Sequence, residues 1–443
     1  MLLEFRAKNY KSFKDEFVFS MTPAPKQKGL DYSILYQKIG SKEYKGLSSA
    51  VIYGPNASGK TNIIGAMDTF KNIVLRGNIR NNDERNSPNA AANALELIPN
   101  NADAKHAPIA FYIKLVEADI LIEYAFSADV GAFLDVDYPR KIISESLKIN
   151  EELIFSRNDE LVFGSSLQVI KKYLVNEFEQ NSKSAILLAK SNLNTEELFL
   201  MNGFKNMFSA KLAMLISNWL DNKFMVIYRA DSLHLIRKFA DPKKKSVYIE
   251  KTLNDAANYF GINSNALGYI VGDDDSDVKL WSLFNSTSKG NKAAISAEMF
   301  ESYGTIRFVN MFPLVVNAIL NGGTLVVDEF DASIHPMALM SIINIFHNDD
   351  INTNRAQLIF NTHNPIFLNS NLFRRDEIKF VERDDETHYS KHYALSYFGT
   401  TGEKGVRMHD DYLKNYFVSQ YGAIKDIDFT PIFENLIESR KEV

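Results

Sequence analysis

SSAVIYGPNASGKTNIIGAMDTF, residues 48–70, carries three signals in one run. Val51, Ile52 and Tyr53 close an apolar, β-prone stretch, and an apolar-periodic segment begins at Ile63. Between them Gly54 stands at the GxxxxGK[ST] spacing from Gly59, Lys60 and Thr61, so the run predicts a strand, a P-loop and a helix. Glycines let the backbone wrap a phosphate with several N–H groups and a helix N-terminus aimed at the negative charge. The candidate binding set is Gly54, Pro55, Asn56, Ala57, Ser58, Gly59, Lys60, Thr61 and Asn62. Lys60 can reach β- and γ-phosphates, and the Thr61 hydroxyl is placed to ligate Mg²⁺. A glycine-rich turn that binds nothing shares the glycines, and the flanking strand and helix are what discriminate against it.

The chain has 443 residues, too many for one ordinary core, and two lobes are expected. A net charge of -5 and a pI near 6.0 exclude a global basic field for nucleic acid while leaving local patches open. With no cysteine, disulfides, thiolate zinc sites and cysteine nucleophiles are excluded. The opening MLLEFRAKNYKSF alternates with charge unlike a signal peptide, and no run reads as a membrane span. A cytoplasmic protein with no membrane contact is expected.

The N-terminal region reads as β-rich: LLEFRAKNYKSF and FVFSM, then IAFYIKLVEADILIEYAFSADV as a hairpin, then KIISESLKINEELIFSR. Residues 78–108, rich in Asn, Ala and Pro, read as a surface loop. From about residue 166 the apolar spacing becomes helical without a sustained heptad, and a compact helical lobe is expected to about residue 290. Its stripe of Phe199, Met201, Phe204, Met207, Phe208 and Met214 reads as core. The clusters DPKKKS (241–246) and GDDDSD (272–277) read as solvated turns, the second lacking EF-hand spacing. The division expected is residues 1–165, 166–290 and 291–443.

The remainder of the site lies far along the chain. In NGGTLVVDEFDASIHP (321–336) a buried-strand run ends at Asp328-Glu329, as a Walker B strand does. Asp328 would support Mg²⁺, and Glu329 would polarise the attacking water. AQLIFNTHNPIFL (356–368) is another apolar strand, ending at Thr362-His363-Asn364, where His363 can hydrogen-bond a γ-phosphate and report its loss. Upstream, ESYGTIRF places Ser302 and Gly304 at the start of an apolar-periodic helix, an anion-binding arrangement that simple helix capping explains equally well.

Taken together, P-loop, long insertion, serine-glycine signature, Asp-Glu and switch histidine resemble the layout of ABC-type ATPase heads of the SMC/RecF/OLD-like branch. FRAKNYKSF resembles the opening strand of those heads and GPNASGKTN their GPNGSGKSN. DEFDASIHP looks like their Walker B and D-loop, with His335 where transporters carry an aspartate. IAFYIKL, ISESLKI, ESYGTIRF, FNTHNPIFL, LFRRDEIKFVERD and YLKNYFVSQYGAI are similar to segments of bacterial AAA-type ATPases found beside abortive-infection and anti-phage genes. The resemblance implies an α/β fold: a P-loop NTPase of ABC type with a β-rich N-terminal lobe and a compact helical insertion. It also implies ATP and Mg²⁺ as ligands, and a homodimer or higher homo-oligomer that sandwiches ATP between heads. Lys60, Thr61, Asp328, Glu329 and His363 would share one face, with Ser302 and Gly304 acting in trans.

The insertion is too short for an SMC arm, and the 80 residues after His363 are too few for a Toprim nuclease. A separate effector, nuclease or toxin, is therefore expected. Three functions stay open: the sensor or scaffold ATPase of an anti-phage system, a RecF-like DNA repair or DNA-clamping ATPase, and a structural protein with slow or no hydrolysis. DNA or a phage protein is a further possible partner, and the intact Glu329 speaks against the third function.

Overall fold

A computed structural model describes residues 1–25, 27, 29–80, 95–100, 107–133, 135, 138–165, 167–176, 178–228, 254–259, 261–262, 264–271, 278–285, 292–401 and 405–441. The clusters at 241–246 and 272–277 lie outside the described residues, as does much of the loop expected over 78–108.

Two sheets are built from opposite sequence patterns. Short apolar runs without alternation form the central sheet, as strands covered on both faces must. They are β5 (Ser49–Tyr53), β11 (Phe224–Ile227), β15 (Thr324–Val327) and β16 (Gln357–Asn361), each wholly buried, with β17 (Ile378–Arg383) and β18 (Ser390–Ala394). The order is β11-β15-β16-β5-β17-β18, parallel except for β18. Alternating strands, most of them longer, form a seven-stranded antiparallel sheet, β10-β9-β8-β7-β6-β1-β2. These are β1 (Leu2–Lys8), β2 (Phe17–Ser20), β6 (Ile109–Glu117), β7 (Ile120–Asp129), β8 (Lys141–Ile149), β9 (Glu152–Arg157) and β10 (Leu161–Phe163). A hairpin of β3 (Ile34–Ile39) and β4 (Lys42–Leu47) stands apart.

Helix α1 (Lys60–Arg76) joins the inward residues of both sheets in one core. Its Phe70 stacks on Phe126 at 5.7 Å and meets Phe5 edge-on at 5.7 Å. The residue that starts this helix is also the P-loop lysine, so the largest core fixes the loop from behind. The other face of the central sheet is covered by α4 (Tyr303–Asn321) and α5 (Pro336–Phe346), with Tyr412 and Tyr416 of α6 (Tyr412–Phe417) and Tyr421. By length and composition α4 could cross a membrane, which the sequence reading did not anticipate. Here its Val309, Leu314, Val315 and Ala318 pack into the core with Leu325 and Val327 of β15.

The helical insertion is shorter than its periodicity suggested. Helices α2 (Phe178–Ser191) and α3 (Ala210–Asn218), with π-helical turns at Leu200–Phe204 and Trp219–Lys223, account for the helical spacing. Phe199, Phe204 and Phe208 are core, Met201 and Met207 half-buried, and Met214 exposed. At Phe224 the chain turns to strand and returns to the central sheet, with Phe224 opposite Thr324. Beyond it β12 (Ala266–Val271), β13 (Val278–Asn285) and β14 (Lys292–Ser296) form an antiparallel sheet where helix was expected. FMVI is too short to show a period, and its partner strand lies a hundred residues on, so local spacing could not reveal it.

Candidate functional site

Between β5 and α1 the loop 54–59 closes on itself. Ala57 (φ 62°) and Gly59 (φ 109°) take left-handed backbone. A Cβ on Gly59 would lie 2.6 Å from Ser390 Oγ and 2.7 Å from Ser12 Oγ, so only glycine fits this helix start. A hydroxyl chain braces the loop from outside. Asn62 Nδ2 donates to Ser12 Oγ (2.7 Å), Ser12 and Ser390 hydroxyls lie 2.7 Å apart, and Ser390 Oγ donates to Ser58 O (2.6 Å). Lys60 Nζ folds across the loop, donating to Gly54 O (2.7 Å) and Pro55 O (3.0 Å). Burial lowers its pKa to about 8, against the upward pull of Asp328, Glu329 and Asp331. Ser58 Oγ is buried without a hydrogen-bond partner among the described residues.

The strand order brings the distant half to this loop. Parallel strands present their C-terminal ends at one edge, and β16 lies between β5 and β15, so Asp328 and Asn361 end beside the start of α1. Thr61 Oγ1 donates to Asp328 Oδ1 across 267 residues of sequence at 3.1 Å, and Asn361 Nδ2 donates to the same oxygen at 2.6 Å. The Asn361 amide oxygen in turn accepts from the backbone N–H of Glu329. Glu329 is exposed and held at φ 50°, a left-handed conformation that costs a non-glycine residue energy and here turns the residue out of the strand line. From α4, Arg307 Nη2 donates to Glu329 O (2.5 Å) and Asp328 O (3.4 Å). The exposed His363 follows β16. Desolvation and the Lys60 charge hold its pKa below the ordinary value, against Asp331, Glu329 and Asp328, so it is a neutral imidazole at pH 7.

Ser302 and Gly304 lie elsewhere. Ser302 is the N-cap of α4, its Oγ accepting from Thr305 N (3.1 Å). A Cβ on Gly304 would fall 2.1 Å from Ser333 O, so the helix start packs directly on the loop that follows Glu329. Among the described residues no hydrogen bond joins either of them to residues 54–62. His335 caps α5 through Nδ1, which accepts from Met337 N (3.2 Å), with Pro336 in the first turn.

The residues fit a nucleoside triphosphate with a divalent cation. The glycine cradle, a Ser58 hydroxyl without a partner and a lysine bonded only to carbonyls of its own loop, both among the described residues, suit a polyphosphate. The Thr61 hydroxyl and Asp328 carboxylate, 3.1 Å apart, are hard oxygen donors suited to Mg²⁺. Sequence reasoning missed Asn361, Arg307, Asp331, Ser12 and Ser390. Asn361 left one signal, a polar residue closing an apolar strand. The serines left none.

The family model described as "AAA domain, putative AbiEii toxin, Type IV TA system" matches residues 49–369. Among solved structures, the SMC head domain from Thermotoga maritima is similar at 11% identity over 89% of this chain and 98% of its own, with a TM-score of 0.36. The Smc head domain with a coiled coil and joint derived from Pyrococcus yayanosii matches at 12% identity over 89% and 96%, also with a TM-score of 0.36. No curated protein matches the chain.

Proposed function

The chain belongs to that AAA-domain family, and from this premise we propose that it is a Mg²⁺-dependent ATP hydrolase of ABC type. In this reading it dimerises on ATP and serves as the sensor or scaffold of an anti-phage system that controls a separate effector. The observation that carries the reading is the meeting of Thr61, in the first turn of α1, with Asp328 and Asn361 at the ends of β15 and β16.

Lys60 exchanges its two loop carbonyls for phosphate oxygens, and the N–H groups at the start of α1 turn toward the same charge. Bound Mg²⁺ would neutralise developing charge on the phosphate oxygens. Thr61 and Asp328 would hold it, and Asn361 fixes the Asp328 carboxylate while setting the Glu329 backbone. The exposed Glu329 carboxylate is free to orient a water and accept its proton. His363, neutral at pH 7, can bond the terminal phosphate without adding a charge. The exposed Ser302 and the half-buried Gly304, at a helix start with no hydrogen bond to their own P-loop among the described residues, would be available to the site of a second subunit. The family's association with a putative AbiEii toxin and a type IV TA system favours defence over DNA repair.

Phosphate release should be present in wild type, lost in Glu329→Gln with ATP still bound, and lost in Lys60→Ala through weakened ATP binding. Equal ATP affinity in wild type and Lys60→Ala would remove the P-loop from the reading. Affinity capture from cells with ATP should recover a nuclease or toxin. Recovery of DNA alone, with DNA-stimulated turnover, would favour the repair ATPase.

A further inference from the structure

Helix α7 (Thr430–Lys441) stands exposed on the described part of the chain. Every residue from Lys425 to Arg440 is exposed, whereas Tyr421 and Ala423 just before are buried. Its apolar residues nonetheless share a face. At 100° per residue Phe429, Ile432, Phe433, Leu436 and Ile437 fall in one stripe, with Glu434 and Glu438 opposite. A helix of 12 residues is marginal in water by itself, so this one needs a surface to cover its stripe.

We propose that the cover is the same helix of a second copy, paired antiparallel, forming a dimer that needs no nucleotide. Charge complementarity selects this occupant. Asp426 and Asp428 precede the stripe and Arg440 follows it within the apolar sector, and among the described residues Arg440 makes no ion pair. Antiparallel pairing sets each Arg440 beside the partner's acidic end and also opposes the two helix dipoles. Centring the pair on the apolar stripe from Phe429 to Ile437 puts the two-fold axis at Phe433 and leaves Arg440 toward the partner's Asp428 end, just before the helix.

The area is adequate. The five residues are 61%, 56%, 62%, 56% and 55% exposed. With about 200 Å² for a large apolar residue, complete burial would remove about 600 Å² per copy and about 1,200 Å² for the pair, the lower end of a specific interface. Lys425 Nζ, 2.7 Å from Asp385 Oδ1, ties the segment before α7 to the turn after β17, the strand flanking the P-loop. The paired helices would thus tether two chains near their P-loop ends.

Because the chain has no cysteine, single-cysteine variants give a clean test. Nucleotide-free wild type should sediment as a dimer, and Leu436→Asp/Ile437→Asp should raise the dissociation constant by at least about 100-fold through two carboxylates buried on an apolar face. The melting temperature of the double variant should match that of monomeric wild type. Oxidised Phe433→Cys should form a covalent dimer without ATP, while Arg440→Cys, with its two copies about 20 Å apart in the antiparallel pair, should not. A monomeric nucleotide-free wild type, a dimer untouched by the double variant, or equal cross-linking at both positions would each overturn the proposal. So would a wild-type monomer that captures a different protein through α7. None of these readouts depends on ATP turnover, so they stand or fall separately from the proposed hydrolase.

Discussion

Replacing Asn361 by Ala removes one small side chain whose only mark in the sequence is that it closes an apolar strand, yet its effect should fall mainly on turnover. Asn361 is 1% exposed and makes two bonds: its amide donates to Asp328 Oδ1 at 2.6 Å and its oxygen accepts from Glu329 N–H. A hydrogen bond to an ionised group contributes about 1.5–3 kcal/mol and a neutral one about 1 kcal/mol, giving a ceiling of about 2.5–4 kcal/mol for the pair. Part of that is lost as stability. The part that holds Asp328 and the strained Glu329 backbone in place, about 1.5–3 kcal/mol, should appear as a roughly 10- to 100-fold fall in kcat. KM for ATP should move much less, because Lys60 and the P-loop amides remain. Steady-state phosphate release, nucleotide-binding titration and thermal melting separate these contributions. A kcat within about threefold of wild type, with only a lowered Tm, would show that Asn361 is a packing residue and refute the reasoning. Asn361→Asp offers a sharper version. A second carboxylate against Asp328 should depress turnover more than Ala does, since like charges at this range cannot both ionise freely.

Mixing Ser302→Arg with Lys60→Ala, each inactive alone, should restore part of the ATPase activity if sites are shared between subunits. Full activity of Ser302→Arg alone would leave Ser302 as no more than the helix cap seen here. Gly304→Ala should lower stability by about 1–3 kcal/mol, because its Cβ must displace Ser333 O; an unchanged melting temperature would contradict that contact. Lys60 titrates at about 8 in the folded chain against an ordinary 10.5, so between those values the unfolded chain holds more protons and stability rises with pH. The rise, about 3 kcal/mol at most, should vanish in Lys60→Met, and equal pH slopes for the two proteins in urea unfolding would refute the burial of that charge.

The P-loop, the strand carrying Asp328-Glu329, the strand before His363 and the capped start of α4 were legible from sequence because each is a local pattern. Contiguous residues there supply the strand, the turn chemistry and the first helical turn. Even the family resemblance rests on such short segments. Tertiary structure alone decided which of them meet. FMVI became a strand because TLVV offered it a parallel edge, and no period within four residues could distinguish it from the end of a helix. Asn361 bridges Asp328 to Glu329 because β16 lies beside β15 in register, with Phe360 opposite Val327, a relation set by pairing across more than thirty residues. Ser12 and Ser390 brace Gly59 only because β18 closes the sheet beside the N-terminal turn, across 378 residues of sequence. Hydrogen bonds between strand ends depend on order and register, and those are fixed by burying both faces of the sheet at once.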